Sequence, residues 1–368
     1  MLFPRYSSPA TRRLLFVLAL AGATAWGCSV PVFRYALEHW QADPFQAIVF
    51  HRGALTPEQQ SQIDSLRPAD EPARPNLSVT AVDVASEMSP ELAELWKQQP
   101  QATPLPQLVL RFPRSTGRDA TIAAAPLAEA SQLHLADSPA RQEIIERLGD
   151  GQSAVWVMLD SGDAERDEAT AKLLQERLDY LMNVLTLPEL DQLDIANGLV
   201  SVGQEELRLE FSLLRLSRAD AEERTFIPML LASEPDLKNL NEPIVFPIFG
   251  RGRALYALAG KGIRAETIDR AATFLIGKCS CQVKEQNPGI DLLFTADWKT
   301  LAKASPLLER ELPNLSHLVQ AAQPVAVTTQ PQTVAVPAGE RHLPIIPLLL
   351  AAAAAAALAA WKFPKKHA

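Results

Sequence analysis

Cys279-Ser280-Cys281 sets two of the chain's three cysteines one residue apart, inside FLIGKCSCQVKEQNPG at residues 274–289; the third is Cys28. A thiol pair at this spacing can be a redox couple, part of a metal clip or a structural bond, and each makes different demands. Cysteines two apart reach disulfide geometry only in a tight turn, and the strain leaves such a bond easily reduced. The run before them reads as the last turn of a helix, whose dipole disfavours a thiolate by about 0.3–1 kcal/mol, and Lys278 offsets part of that. In an oxidising compartment either cysteine could instead bond to Cys28. Two thiolates fall short of a metal set and no histidine stands near them at ligand spacing, so no metal or cofactor is expected. The residues leave three readings open: a disulfide drawn from Cys279, Cys281 and Cys28, a redox or regulatory pair of Cys279 and Cys281, or thiols left free or, least favoured, given to a metal.

Other chemistry-bearing residues are sparse. His51 and Arg52 follow FQAIVF at the carboxyl end of an expected strand, where open α/β sheets bind ligands, and are ligand-binding candidates. Glu38 and His39 are adjacent, and neighbours on a helix face different directions, which argues against an acid–base pair. Gly250, Gly252, Gly260 and Gly262 lack the strand, glycine-rich loop and helix context of a phosphate site and read as turn residues of a hairpin. No Ser-His-Asp order, HExxH or paired catalytic carboxylates stand out.

The two ends set the compartment. Arg12 and Arg13 precede the apolar run Leu14 to Ala23, and small residues lead to Gly27 and Cys28, which is the pattern of a secretory signal over residues 1–27. Ala25-Trp26-Gly27-Cys28 also resembles a bacterial lipobox, which would make Cys28 a lipidation site. Residues 343–361 are uncharged and followed by Lys362, Lys365 and Lys366. Nineteen residues at helical rise cover about 28 Å, close to a hydrocarbon core. A transmembrane helix with a basic cytoplasmic tail at 362–368 is expected, with everything before it facing the periplasm or exterior of a bacterial cytoplasmic membrane. Without the basic residues of the two ends, 28–342 holds 29 basic against 43 acidic residues, a net charge of −14. Such a surface repels nucleic acid and anionic headgroups, so no nucleic-acid partner is expected.

Between the ends, element types alternate. Strands are expected at Phe45 to Phe50 and Asn76 to Val84, each followed by a helix whose start is marked by Thr56-Pro57 or Ser89-Pro90. TPLPQLVLRF puts Pro106 directly before a strand; Ala120 to Ala125 is another, and Ser138-Pro139 opens a helix stopped by Gly149 and Gly151. The same order returns: strand 154–162, helix 168–187, strand 208–217, helix 222–231, Pro243 before a hairpin, and helix 265–277. This order resembles the thioredoxin fold twice over, across residues 45–280, with Pro106 where the family keeps a cis-proline and Pro243 at the matching place. Residues 306–342, with five prolines, read as a stalk.

The expected fold class is therefore α/β: two tandem thioredoxin-like domains, 28–150 and 151–283, then an extension and Pro-rich stalk over 284–342. CSVPVFRYALEHW and VFHRG also resemble segments of a group of exported, membrane-anchored bacterial proteins of no assigned activity. The thioredoxin family carries Cys-x-x-Cys where its first strand meets its first helix; this chain has His51-Arg52-Gly53 and Asp160-Ser161-Gly162-Asp163 there. The resemblance thus implies the fold without the family's dithiol, and a tethered binding or scaffold protein with an envelope partner is the expected function. The rival expectation is a thiol–disulfide oxidoreductase or isomerase working through Cys279 and Cys281.

Overall fold

Arg251 shows how the segment ahead of the first strand is fixed: its Nε donates to the carbonyl of Leu37 at 2.7 Å and its Nη2 to that of Glu38 at 2.7 Å, closing the last turn of helix α1 (Val32–His39). That segment, which the sequence assigns to the first domain, packs on the second half of the chain: Val32, Phe33, Tyr35, Ala36 and Trp40 share a core with Trp156, Phe249 and Leu275. The protein is described here from a computed structural model, over residues 28–67, 72–100, 104–279 and 283–303. The expected signal segment, the stalk from residue 306, the span at 343–361 and the basic tail lie outside the described residues.

The first half runs β1 (Phe45–His51), α2 (Pro57–Leu66), β2 (Arg74–Pro75), β3 (Leu77–Asp83), α3 (Pro90–Lys97), β4 (Gln107–Arg111), β5 (Thr121–Pro126) and α4 (Pro139–Gly149). Local signals act as expected at α2, where Thr56 Oγ1 accepts from the Gln59 N–H and the Gln59 side chain accepts from the Thr56 N–H. Ser138 differs: its hydroxyl donates to Glu223, whose carboxylate itself accepts the Ala140 N–H at the start of α4. A carboxylate from the other half thus caps this helix.

The second half runs β6 (Ala154–Leu159), α5 (Ala164–Val184), α6 (Gln192–Ala196), β7 (Phe211–Leu216), α7 (Phe226–Ala232), β8 (Ile244–Phe249), β9 (Arg253–Ala254), β10 (Leu258–Ala259) and α8 (Ala265–Ile276). Helix α5 begins four residues before the expected start because the Asp163 carboxylate accepts the Arg166 N–H as an N-cap. Helix α7 is shorter than expected, opening at Phe226 after a turn.

The two sheets repeat one topology. In the first the order is β3-β1-β4-β5, with β1 parallel to β3 and antiparallel to β4, and β4 antiparallel to β5. In the second it is β7-β6-β8-β9, with β6 parallel to β7 and antiparallel to β8, and β8 antiparallel to β9. The Leu105–Pro106 peptide is cis, whereas the bond before Pro243 is not. An α/β architecture with two such sheets is what the alternation of elements specifies.

Residues 284–303, which the sequence places in an extension, carry regular elements. Strand β11 (Ile290–Asp291) adds to β9, β12 (Thr295–Ala296) pairs with β2, and α9 (Trp298–Lys303) follows. Leu292, Leu293 and Phe294, all at most 1% exposed, enter one apolar cluster that also holds Val49 and Leu110 of the first sheet and Val157 and Phe246 of the second. This segment laces the halves together. Gly252, at φ +80°, marks its closest approach, since a Cβ there would lie 2.3 Å from the Phe294 ring. Gly252→Ala is expected to cost about 2–4 kcal/mol, from the left-handed backbone and the overpacked ring. Urea denaturation of the variant measures it, and a loss under about 1 kcal/mol would mean the lacing is loose.

Candidate functional site

In both sheets the parallel pair of strands ends at a loop that could present chemistry. In the first half His51 closes β1 and its Nδ1 lies 2.9 Å from the carbonyl of Gly53, so one ring nitrogen is already engaged by its own loop. Asp83, at the end of β3, accepts the N–H groups of Ala85 at 2.9 Å and Gly53 at 3.1 Å; these two bonds hold its carboxyl below the usual range. Arg52 is exposed. The register that sets Phe50 opposite Gln107 brings Pro106 level with His51, and the Pro106 carbonyl accepts from Leu127 at 2.8 Å. The structure thus gathers His51, Arg52 and Pro106 at one edge, with the Asp83 carboxylate beside them committed to two backbone donors.

The matching edge of the second half opens into a pocket of about 340 Å³ lined by Asp160, Asp167, Glu168, Arg215 and Arg218. Pairing of Leu159 with Ile244 puts Pro243 level with Asp160, and its carbonyl accepts from Gly260 at 3.0 Å. Asp167, only 3% exposed, points back into the start of α5. Its Oδ1 accepts from the Ser161 N–H and hydroxyl, both at 2.7 Å, and its Oδ2 from the Gly162 N–H at 2.9 Å. Burial works to raise the Asp167 pKa, and those three donors outweigh it, so the carboxyl is held below its ordinary value. Arg215 bridges Asp160 at 3.2 Å and Glu168 at 2.8 Å, and Arg218 donates to the carbonyls of Asp160 and Glu242. The loop donors just ahead of this helix are occupied by a built-in carboxylate, and the cations beside it are committed.

The cysteines lie elsewhere. Lys278 bridges Pro31, and the Cys279 N–H donates to the Val30 carbonyl at 2.9 Å, so Cys279 leaves α8 on a short antiparallel ribbon with the N-terminal segment. Cys28 is 4% exposed and Cys279 1%, both in the apolar core around Tyr35. Burial pushes the Cys28 thiol pKa up, with the Asp194 charge adding to it and a backbone hydrogen bond at Val30 opposing. The Tyr35 hydroxyl is raised likewise, first by burial and then by both thiols, which places all three groups together. No disulfide joins Cys28 to Cys279. Cys281 lies outside the described residues.

Glu38 and His39 also part company. Glu38 takes the Arg34 guanidinium at 2.6 Å and the Ser201 N–H at 2.8 Å, while His39 Nε2 reaches the Leu199 carbonyl at 2.9 Å. Sequence reasoning missed Asp167, Arg215 and Arg218. The signal for Asp167 was the pair Asp163 and Asp167 one turn apart at a helix start, of which only the first can be the cap.

Among the described residues no three or more His, Cys, Asp or Glu side chains are grouped to hold a metal ion, and no helix is long and apolar enough to cross a membrane. Neither models of known families nor curated proteins match the chain.

Proposed function

We propose that the chain is a binding or scaffold protein of the bacterial cell envelope, built from two thioredoxin-like halves without the catalytic dithiol and tethered through residues 343–361. The thioredoxin-like reading is supported by the strand order shared by the two sheets, each with one parallel pair. The observation that carries the non-enzymatic reading is Asp167. In a redox-active domain the donors of the first helical turn stabilise an attacking thiolate. Here the first-turn Arg166 N–H is taken by the Asp163 carboxylate, and the Ser161 and Gly162 N–H groups of the loop just ahead of the helix are taken by Asp167.

The rival, thiol–disulfide exchange through Cys279 and Cys281, is disfavoured by the position of Cys279. A thiol 1% exposed beside two other buried acids is a poor nucleophile until the ribbon with Val30 opens. The same burial bears on lipidation, because an acyl-bearing Cys28 could not keep its sulfur in the core around Tyr35. The tether is therefore assigned to the C-terminal segment, and the partner to an acidic face presented outside the membrane. The full-length chain should show no turnover of insulin or of scrambled ribonuclease as disulfide substrates. Turnover that disappears in Cys279→Ser would overturn the scaffold reading in favour of the rival.

A further inference from the structure

Four chain segments meet at a second cavity, of about 240 Å³, between the two halves. Arg118 comes from the β4–β5 connection, Glu234 from the end of α7, Tyr256 from between β9 and β10, and Gly289 from the turn into β11. Most buried or half-buried arginines of this chain are held: Arg34, Arg141, Arg251 and Arg253 each donate to several acceptors. Arg118 is half-buried, yet among the described residues its guanidinium makes no ion pair or hydrogen bond; its backbone N–H is engaged by Thr116 Oγ1 at 3.2 Å. Opposite in charge, Glu234 is also half-buried, and a single oxygen is committed, Oε1 accepting the Ala257 N–H at 2.8 Å. The two side chains line one cavity without pairing with each other.

The walls are fixed before any ligand arrives. Arg253 holds the Gly289 carbonyl at 2.7 Å, the Leu255 N–H is bound to Pro247 at 2.9 Å, and the Ala257 bond sets the Glu234 carboxylate. Phe246 and Ala254, at most 2% exposed, lie behind the cavity, so a charge entering it meets a low dielectric on one side. A half-buried guanidinium and carboxylate left unpaired cost free energy, and that cost is offset when a ligand supplies both complements. The volume lies below the range of about 300–1,000 Å³ typical of drug-sized ligands, which selects a small molecule.

We propose that this cavity binds a small zwitterion of the α-amino acid class, its carboxylate on the Arg118 guanidinium and its ammonium on the free oxygen of Glu234. A guanidinium fork matches a carboxylate in two parallel hydrogen bonds, and the carboxylate lining the same cavity calls for a cation on the same ligand. A ligand seated there touches both halves and the C-terminal lacing at once, so it stabilises their joined state. The proposal does not rest on the scaffold reading: dithiol turnover would overturn that reading and leave this site untouched.

Isothermal titration of the full-length chain with each standard amino acid tests it, followed by the α-amide and the N-acetyl derivative of the tightest binder. At least one amino acid is expected to bind with a Kd below about 1 mM, and each derivative about 10-fold or more weaker. Arg118→Gln should remove the discrimination against the amide. Glu234→Gln, which keeps an acceptor for Ala257, should remove the discrimination against the N-acetyl form. Absence of saturable binding by any amino acid would overturn the proposal, as would affinities unchanged in both variants. An N-acetyl derivative binding as tightly as the free amino acid would also overturn it, by reassigning the cavity to a peptide carboxyl terminus.

Discussion

Glu223→Ala is expected to lower the unfolding free energy by about 3–5 kcal/mol, because it removes one partner of a buried charge system and leaves the other uncompensated. Arg141, fully buried on α4, donates to five acceptors: Ser138 Oγ and the carbonyls of Leu135, Leu293, Asp137 and His134. Burial pulls its pKa well below the ordinary guanidinium value, to about 10, against the opposing charges of Glu223 and Asp137. Glu223, 1% exposed, meets Arg141 through Ser138, whose hydroxyl donates to the carboxylate at 2.5 Å and accepts from the guanidinium at 2.9 Å. The variant loses the cap on α4 as well as the countercharge, so the two losses add at one joint between the halves. Arg141→Met should cost a similar amount, by orphaning four backbone carbonyls. The double variant should cost less than the sum by about 1–3 kcal/mol, since each single change already breaks the shared unit. Equilibrium denaturation decides it: strict additivity, or a Glu223→Ala loss under about 1 kcal/mol, would show that the relay is incidental.

Arg141 illustrates what the sequence could not reveal. In PARQEIIERLG it is one charge among several on a helix of modest amphipathicity, and nothing local says that it faces inward. Its burial is a consequence of the Leu293 carbonyl and the Phe226 ring, which come from distant parts of the chain. By contrast Thr56-Pro57 and Ser89-Pro90 were legible as helix starts because capping is decided within four residues. The longer strands of both halves were legible for the same kind of reason, as short apolar runs bounded by turn residues.

Residues 284–303 were read as an extension because two-residue strands carry no periodicity. The run Leu292-Leu293-Phe294 was the one signal that a buried stretch follows the cysteines. The docking of residues 28–40 was half legible: the pattern of α1 announces a buried face, and only the fold says that the face belongs to the second half. For the site, the strand ends bearing His51 and Asp160 were legible from the order of elements. The carboxylate that fills the second of them was not, because Asp167 reads as an ordinary first-turn acid until its three donors are seen.

A second joint should show itself in the pH dependence of stability. Lys284, 9% exposed, donates to Asp43 at 2.6 Å, Asp291 at 2.8 Å and the Gln41 carbonyl at 2.7 Å. Arg253 holds the other oxygen of Asp291 at 2.8 Å, and Ser115 the other oxygen of Asp43 at 2.6 Å. The group ties the linker before β1, the loop after β4, and strands β9 and β11. Burial works to lower the Lys284 pKa, but attraction and hydrogen bonds from Asp291 and Asp43 prevail and raise it above 10.5. For Asp43 burial works upward, and the bonds from Lys284 and Ser115 with the charges of Lys284 and Arg253 prevail, holding it below 3.8.

The signs then follow. The Asp43 contribution is present above its unfolded value of 3.8 and is lost as pH falls through the depressed folded value. The Lys284 contribution is complete below 10.5 and is lost as pH rises through the raised folded value. Stability from this network is therefore level across neutral pH and falls at both flanks. Lys284→Met should cost about 3–5 kcal/mol near neutrality, because Asp43 and Asp291 then face each other with one cation fewer. Below about pH 4 the gap between wild type and variant should narrow, as protonation of Asp43 removes what Lys284 had stabilised. Urea denaturation of both proteins from about pH 3 to pH 7 measures that gap, and a difference that stays constant over the range would mean that Lys284 acts by packing its alkyl chain and not by its charge.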